Sequence, residues 1–246
     1  MISDFIQAVR FLTLLPLPGK SKTENLARSM FFFPLVGFLI GMVSILVIRF
    51  LSLDLFIRLE ALALVTFPIL LSGGFHLDGF ADFSDGFFGG KDRDDVIRIM
   101  KDSRIGVWGV LGVVLVLFWK WELLASLSNR TSAVLLSLTA SRWAQVALSY
   151  FLPPATPGSG LGAQVAKNVK VRELAGATAF LTVLIFFLKG PGIICFLALL
   201  PFLAALGFLF YKRLGGLTGD LLGAASELTE LFILVVFYLM RTGLYR

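Results

Sequence analysis

One cysteine and one histidine are all that this 246-residue chain offers to thiol or imidazole chemistry. Cys195 lies inside an apolar run, so an intrachain disulfide is excluded and a cysteine-based zinc site has no ligand set. His76 alone cannot build a multi-histidine metal centre. Charge is also scarce. Only 15% of residues are charged, 57% are hydrophobic and the mean hydropathy is +0.89, whereas a soluble domain is about 25% charged and about 45–50% apolar. No Walker-type loop and no glycine-rich kinase loop is visible, which argues against an ATPase or a kinase. The basic residues are scattered and no nucleic-acid-binding module is recognisable, so nucleic acid is not an expected partner. The start, with Asp4, Arg10 and then Leu15-Pro16-Leu17-Pro18, lacks the basic flank and apolar core of a cleavable signal. No internal repeat stands out.

What the chain has instead is long uncharged runs, and these predict an all-α, polytopic integral membrane protein of about seven transmembrane helices, built as one catalytic domain over residues 1–246. Residues 1–30 read as a short amphipathic helix on the membrane surface, then a loop broken by Pro16, Pro18 and Gly19, with residues 24–30 leading into the first span. The runs cover residues 31–48, 61–74, 105–119, 131–152, 174–188, 190–211 and 221–240. The first carries Gly37 and Gly41, a small-residue pair that permits close helix packing. The second is short, and either spans with the first turn of the following acidic helix or is re-entrant. Arg142 interrupts the fourth. Residues 120–130 read as a polar connection, 153–173 as a loop punctuated by Pro153, Pro154, Pro157 and Gly158-Ser159-Gly160, and 212–220 as a glycine-rich loop. With the N-terminus in the cytoplasm and alternating spans, about twice as many basic residues fall inside as outside. This predicts a multi-pass protein of the cell (inner) membrane with its polar centre facing the cytoplasm. The net charge of +6 suits loops held against anionic lipid, or an anionic substrate.

The polar centre is residues 73–86. At about 100° per residue, Asp82 and Asp85 lie about 40° and about −20° from Asp78, so three carboxylates share one stripe while Phe80, Phe83 and Phe87 take the other face. Such a stripe repels itself unless a cation sits in it. A hard, oxygen-preferring ion such as Mg²⁺ suits it, because that ion binds through one or two carboxylates plus substrate phosphates. The bland alternative is a solvated acidic helix start. A second constellation, residues 213–230, places Asp220 and Glu227 about 20° apart on one helix face, with Gly216, Gly219 and Gly223 leaving room for close approach. Glu227, inside a span, asks for a partner; Glu230 is displaced by about 60° from it. Asp92 or Asp94 caps a helix that carries Arg98 and leads to Lys101-Asp102-Ser103-Arg104. Lys101 and Arg104 read as interfacial anchors or as holders of a phosphorylated substrate. Arg142 either neutralises a carboxylate on another span or holds a phosphate in its planar fork. His76 bonds a phosphate oxygen, acts as a base, or makes a structural hydrogen bond.

Mg²⁺ among carboxylates with Arg and Lys nearby is equipment for phosphoryl transfer. Positioning and electrostatics then supply the catalysis without a protein nucleophile. His76-Leu77-Asp78-Gly79-Phe80-Ala81-Asp82-Phe83-Ser84-Asp85-Gly86, with Ile99-Met100-Lys101-Asp102-Ser103-Arg104-Ile105-Gly106, resembles the signature of the cobalamin synthase family, the adenosylcobinamide-GDP ribazoletransferases. The resemblance extends to Phe11-Leu12-Thr13, Phe33-Pro34-Leu35-Val36-Gly37, Ser141-Arg142, Gly160-Leu161-Gly162, and Gly215-Gly216-Leu217-Thr218-Gly219-Asp220 with Glu227-Leu228-Thr229-Glu230. It implies a membrane enzyme that joins adenosylcobinamide-GDP to α-ribazole or its 5′-phosphate, releases GMP and requires Mg²⁺. On that resemblance Asp78, Asp82 and Asp85 bind the metal, completed by Asp220 and Glu227. Arg98, Lys101, Ser103, Arg104 and Arg142 take the substrate, and His76 stands with the catalytic acids. Membrane lipid is an implied partner, and self-association or contact with other cobalamin-assembly enzymes stays open.

Two rivals remain at this stage. A CDP-alcohol phosphotransferase shares the metal–carboxylate chemistry, but its D-x-x-D-G-x-x-A-R pattern is not met, since Asp78-Gly79 is followed by Phe80-Ala81-Asp82. An ion-coupled transporter would also use acids within spans, although the missing repeat and the clustering of acids toward one face weigh against it.

Overall fold

The computed structural model describes residues 1–17, 26–52, 56–156 and 160–243. The turns expected at Pro18-Gly19 and Pro157–Ser159, the lead-in from Glu24, the basic residues Lys20, Lys22 and Arg246, and the Lys167 side chain lie outside the described residues. Among the described residues the fold is entirely helical, apart from one isolated bridge between Pro154 and Leu217. The order is α1 (Ile2–Leu12), α2 (Leu26–Ser29), a 3-10 turn (Met30–Phe32), α3 (Phe33–Phe50), α4 (Ile57–Ser72), α5 (Phe75–Gly89), α6 (Arg93–Met100), α7 (Val107–Ser126), α8 (Arg130–Phe151), α9 (Gly160–Asn168), α10 (Val171–Leu188), α11 (Gly190–Leu214) and α12 (Gly219–Gly243).

Five helical segments are long and apolar enough to cross a bilayer: Leu26–Phe50, α7, α10, α11 and Gly219–Arg241. A sixth is added if the bent pair α4–α5 counts as one span. These five or six agree with the expectation of about seven as an approximate number, and α8 is the helix of the expected set that the apolar test leaves out. At 22 residues it is about 33 Å long, enough to cross. Yet every residue from Ala133 to Ser149 is buried, because α3, α10 and α12 surround it. A helix shielded by protein has no need of an apolar exterior. It carries Ser137, Thr139 and Ser141, whose hydroxyls bond carbonyls one turn back at 3.1, 2.6 and 3.0 Å. The outward faces of α3, α7, α10 and α11 are apolar instead, with Leu46, Trp108, Leu115, Phe186, Leu197 and Phe208 exposed, as lipid contact requires.

Small residues set the closest packing. A Cβ on Gly37 would fall 2.8 Å from the Arg142 Cγ, and one on Gly41 would fall 3.2 Å from Leu135, so the expected pair seats α3 against α8. Gly106, Gly109 and Gly112 do the same for α7 against Asp85 and Ser84 of α5. The chain turns through 96° between α4 and α5. Gly73 and Gly74 make that turn, both at φ +72°, where a side chain would be strained. One boundary differs from expectation. Lys120, assigned to a polar connection, is a buried residue inside α7, which continues apolar through Leu123 and Leu124 to Ser126.

Candidate active site

The acidic stretch forms a helix as its spacing predicts, and Phe80 and Phe83 on its back are buried. Phe83 meets Phe210 of α11 edge-on, with ring centroids 5.8 Å apart. The three aspartates have different surroundings. Asp85 is buried and accepts from the backbone amides of Gly106 at 2.7 Å and Gly109 at 2.8 Å, so both its oxygens cap the start of α7. Asp78 is exposed and Asp82 half-buried. The charged neighbours of Asp82 are Asp220, Asp78 and Asp85. Among the described residues, Asp78, Asp82 and Asp220 have no cationic partner.

Asp220 reaches this group because α12 begins against the middle of α5. A Cβ on Gly79 would lie 2.9 Å from both the Cα and the carbonyl oxygen of Asp220, and one on Gly223 would lie 2.9 Å from the His76 carbonyl oxygen. No larger residue fits at either position without moving backbone. The stretch leading to α12 is held from outside by two arginines that sequence reasoning missed. Arg93 Nε donates to the Leu214 carbonyl at 3.0 Å and its Nη2 to that of Ala155 at 2.7 Å. Arg213 donates to the Gly90 and Lys91 carbonyls. Each guanidinium thus closes the carbonyl end of a helix on the other side of the junction.

Asp78 and Asp220 line a cavity of about 360 Å³, together with Lys101, Gln145, Thr156 and Thr218 and a largely apolar remainder. Gly162 of α9 closes against Thr218 and Gly219, where a Cβ would fall 2.6 Å from Thr218. Of the residues expected to take substrate, Lys101 lies on this cavity, with no ion pair among the described residues. Arg98 bonds Asp95, and Arg104 bonds both oxygens of Asp102 at 3.1 and 2.8 Å. The Arg104 side chain, helped by its backbone amide, holds Asp102 down to about 2, and Arg98 with the Lys91 amide holds Asp95 below the usual carboxylate range. Ser103 is exposed in the same turn.

The remaining expected residues lie deeper. Glu227, anticipated among the metal ligands, is buried, and its Oε2 accepts from Lys120 Nζ at 2.6 Å. The same ammonium reaches Glu230 Oε2 at 2.6 Å. Arg142 completes this group, donating to Glu230 Oε1 at 3.1 Å, to Ser141 at 3.0 Å and to Ser226. Two cations and two carboxylates therefore neutralise one another inside the bundle, and of the two readings of Arg142 the observed contacts are those of charge neutralisation. His76 is buried beside the cluster, its Nε2 2.9 Å from Gln145 Nε2. The Leu222 carbonyl, 3.2 Å away, fixes that end of the Gln145 amide as nitrogen. Lys120 and Gln145 were both missed. Gln145 was signalled by its place one turn beyond Arg142 in an otherwise apolar run. Lys120 carried no signal beyond the continued apolar pattern around it.

The family described as cobalamin-5-phosphate synthase matches residues 4–238 of the chain. The chain belongs to that family. Among curated relatives of this synthase, the adenosylcobinamide-GDP ribazoletransferase of Chlorobaculum tepidum is 34% identical over 251 residues, covering 100% of this chain and 98% of the relative. The protein of the same name from Desulforamulus reducens is 36% identical over 253 residues, covering 97% of each. That from Chlorobium phaeovibrioides is 35% identical over 240 residues. No solved structure matches. Membership of the synthase family takes the place of the phospholipid-enzyme and transporter alternatives. It also spans both acidic constellations, the open one around Asp78, Asp82 and Asp220 and the neutralised one around Glu227.

Proposed function

We propose that this protein is a multi-pass membrane transferase that joins adenosylcobinamide-GDP to α-ribazole, or its 5′-phosphate, and releases GMP at the cytoplasmic face of the inner membrane. The observation that carries this reading is that Asp78 and Asp220, from two helices locked together at Gly79, share one cavity with Lys101, which has no ion pair among the described residues. Unpaired carboxylates and a free ammonium on one wall suit a diphosphate bridged to the protein by a divalent ion.

Among the described residues no three His, Cys, Asp or Glu side chains converge as a ready-made metal cage. Mg²⁺ does not demand one, since it keeps waters and takes one or two carboxylates beside substrate phosphates. The donor set therefore fits: Asp78, Asp82 and Asp220 would hold the ion, with hard oxygens and no ion-paired cation among the described residues. Bound there, it would offset phosphate charge as GMP departs. Asp85 holds α7 in place beneath these acids. Lys101 is placed to meet a phosphate as a point charge, and Arg98, Ser103 and Arg104 border it on the same turn. The deciding experiment is GMP release by the purified protein in lipid nanodiscs, supplied with adenosylcobinamide-GDP with and without α-ribazole. Release that depends on ribazole, stops with chelator and returns with Mg²⁺ is expected. Absence of ribazole-dependent release would refute the reading.

A further inference from the structure

Accepting that reading, the two substrates must divide the site between them, and the cavity wall says which part goes where. Its polarity is graded. Asp78 and Lys101 are exposed and Asp220 half-buried, whereas Leu26, Met30, Phe33, Met100, Val165 and Leu222 are buried. Phe11 stacks on Phe33, centroids 5.8 Å apart and planes 14° apart, and meets Phe75 edge-on at 5.5 Å, so aromatic faces line one side. The polar side chain buried in this wall is Gln145. Both hydrogens of its amide nitrogen are spent, on His76 and on the Leu222 carbonyl, so it has no donor left for a ligand, and its Oε1, without a hydrogen-bond partner among the described residues, is a single buried acceptor there.

We propose that this cavity receives the base of the acceptor nucleoside, and that it selects a planar, apolar, two-ring base over an ordinary nucleobase. A guanine carries ring and carbonyl acceptors and amine donors along its edges. Buried against methionine, leucine and phenylalanine, most of these would lose water without gaining a partner. The base of α-ribazole, a dimethylbenzimidazole, has methyl groups there instead, and its ring faces suit aromatic and thioether neighbours. With the base inside, the ribose comes to the acidic rim. The guanosine of the donor then lies outside this cavity.

Two variants test the assignment by steady-state kinetics of GMP release in nanodiscs. Leu161 is half-buried on the cavity wall, and Leu161→Trp fills space. It is expected to raise the KM for α-ribazole tenfold or more while leaving the KM for adenosylcobinamide-GDP within twofold. Ile97 is half-buried on the same wall, and Ile97→Gln puts a donor and an acceptor there at similar volume. It is expected to narrow the preference for the dimethylbenzimidazole nucleoside over the adenine nucleoside, measured as kcat/KM, by tenfold. A raised KM for the GDP-linked substrate with ribazole unaffected would place the guanine here and overturn the proposal. An unchanged base preference in Ile97→Gln would overturn it too, and that ratio decides alone if Leu161→Trp loses its helical circular dichroism. Wild-type protein that releases no GMP would instead reject the functional reading itself.

Discussion

Replacing Lys120 by Met removes one ammonium from a group of four buried charges. In the wild type, Lys120 and Arg142 balance Glu227 and Glu230, and the Lys120, Glu227 and Glu230 side chains are 6%, 6% and 11% exposed. Of the two carboxylates, Arg142 bonds Glu230, at 3.1 Å, and not Glu227, so Lys120→Met strands the Glu227 carboxylate. Breaking a buried pair from one side costs about 3–5 kcal/mol. For a chain of this size each kcal/mol moves the midpoint by about 2–4 °C, so Tm falls by on the order of 10 °C. Adding Glu227→Gln restores neutrality, and the double variant is expected to regain about half of the loss or more. Tryptophan fluorescence during heating in nanodiscs reads this directly, because Trp121 and Trp143 sit next to Lys120 and Arg142 in the chain. Glu227→Gln alone is expected to leave the Mg²⁺ concentration for half-maximal GMP release within twofold. If Lys120→Met melts within about 2 °C of wild type, less than about 1 kcal/mol, or if the double variant is no better than the single, the neutral-cluster argument fails. A tenfold higher Mg²⁺ requirement in Glu227→Gln would return that residue to the metal.

Asp82→Asn keeps the shape but removes a charge from the open acids; GMP release is expected to fall by about 100-fold or more, with Tm unchanged or raised because like-charge repulsion is relieved, and near-wild-type turnover would refute the assignment. Gly79→Ala presses a methyl against the Asp220 backbone, 2.9 Å away, and is expected to cost about 1–3 kcal/mol of stability together with most of the activity; a melt and rate like wild type would show that α5 and α12 are not locked there. Arg93→Gln frees the Leu214 and Ala155 carbonyls, and should lower kcat more than it raises either KM, read in the same assay. Asp102 sits near 2, below its ordinary value of about 4. The Arg104 contact is therefore fully present above about pH 4 and is lost as pH falls through about 2. Any acid limb of GMP release between about pH 5 and 8 should be the same in Asp102→Asn, and a limb displaced by a pH unit would refute this.

The helices and the acid stripe were legible because both follow local rules. Long apolar runs marked α3, α7, α10, α11 and α12, and the spacing of Asp78, Asp82 and Asp85 predicted a helix that is there. What was not legible depends on the third dimension. Nothing within a few residues of Glu227 shows that its partner is Lys120, 107 positions earlier. Nothing near Asp85 shows that the amides of Gly106 and Gly109 will cover its oxygens. Hydropathy alone undercounts α8, which the run at residues 131–152 did mark, since it scores a helix as if lipid surrounded it, and α8 is surrounded by helices.

On paper the acids of α12 resemble one another, carboxylates at helical spacing beside small residues. Their neighbours give them opposite consequences. Asp220 meets other carboxylates, and Glu227 and Glu230 meet cations. Asp220 and Glu227 lie about 20° apart around the same axis, so the two environments are mechanically linked. A rotation of α12 that carried Asp220 away from Asp78 and Asp82 would relieve repulsion at the cavity. It would also draw Glu227 off Lys120 and leave a buried charge unpaired, which costs more than the part-exposed like charges gain by separating. Repelling acids stay together at the mouth of the site because attracting charges, two turns deeper on the same helix, hold its orientation.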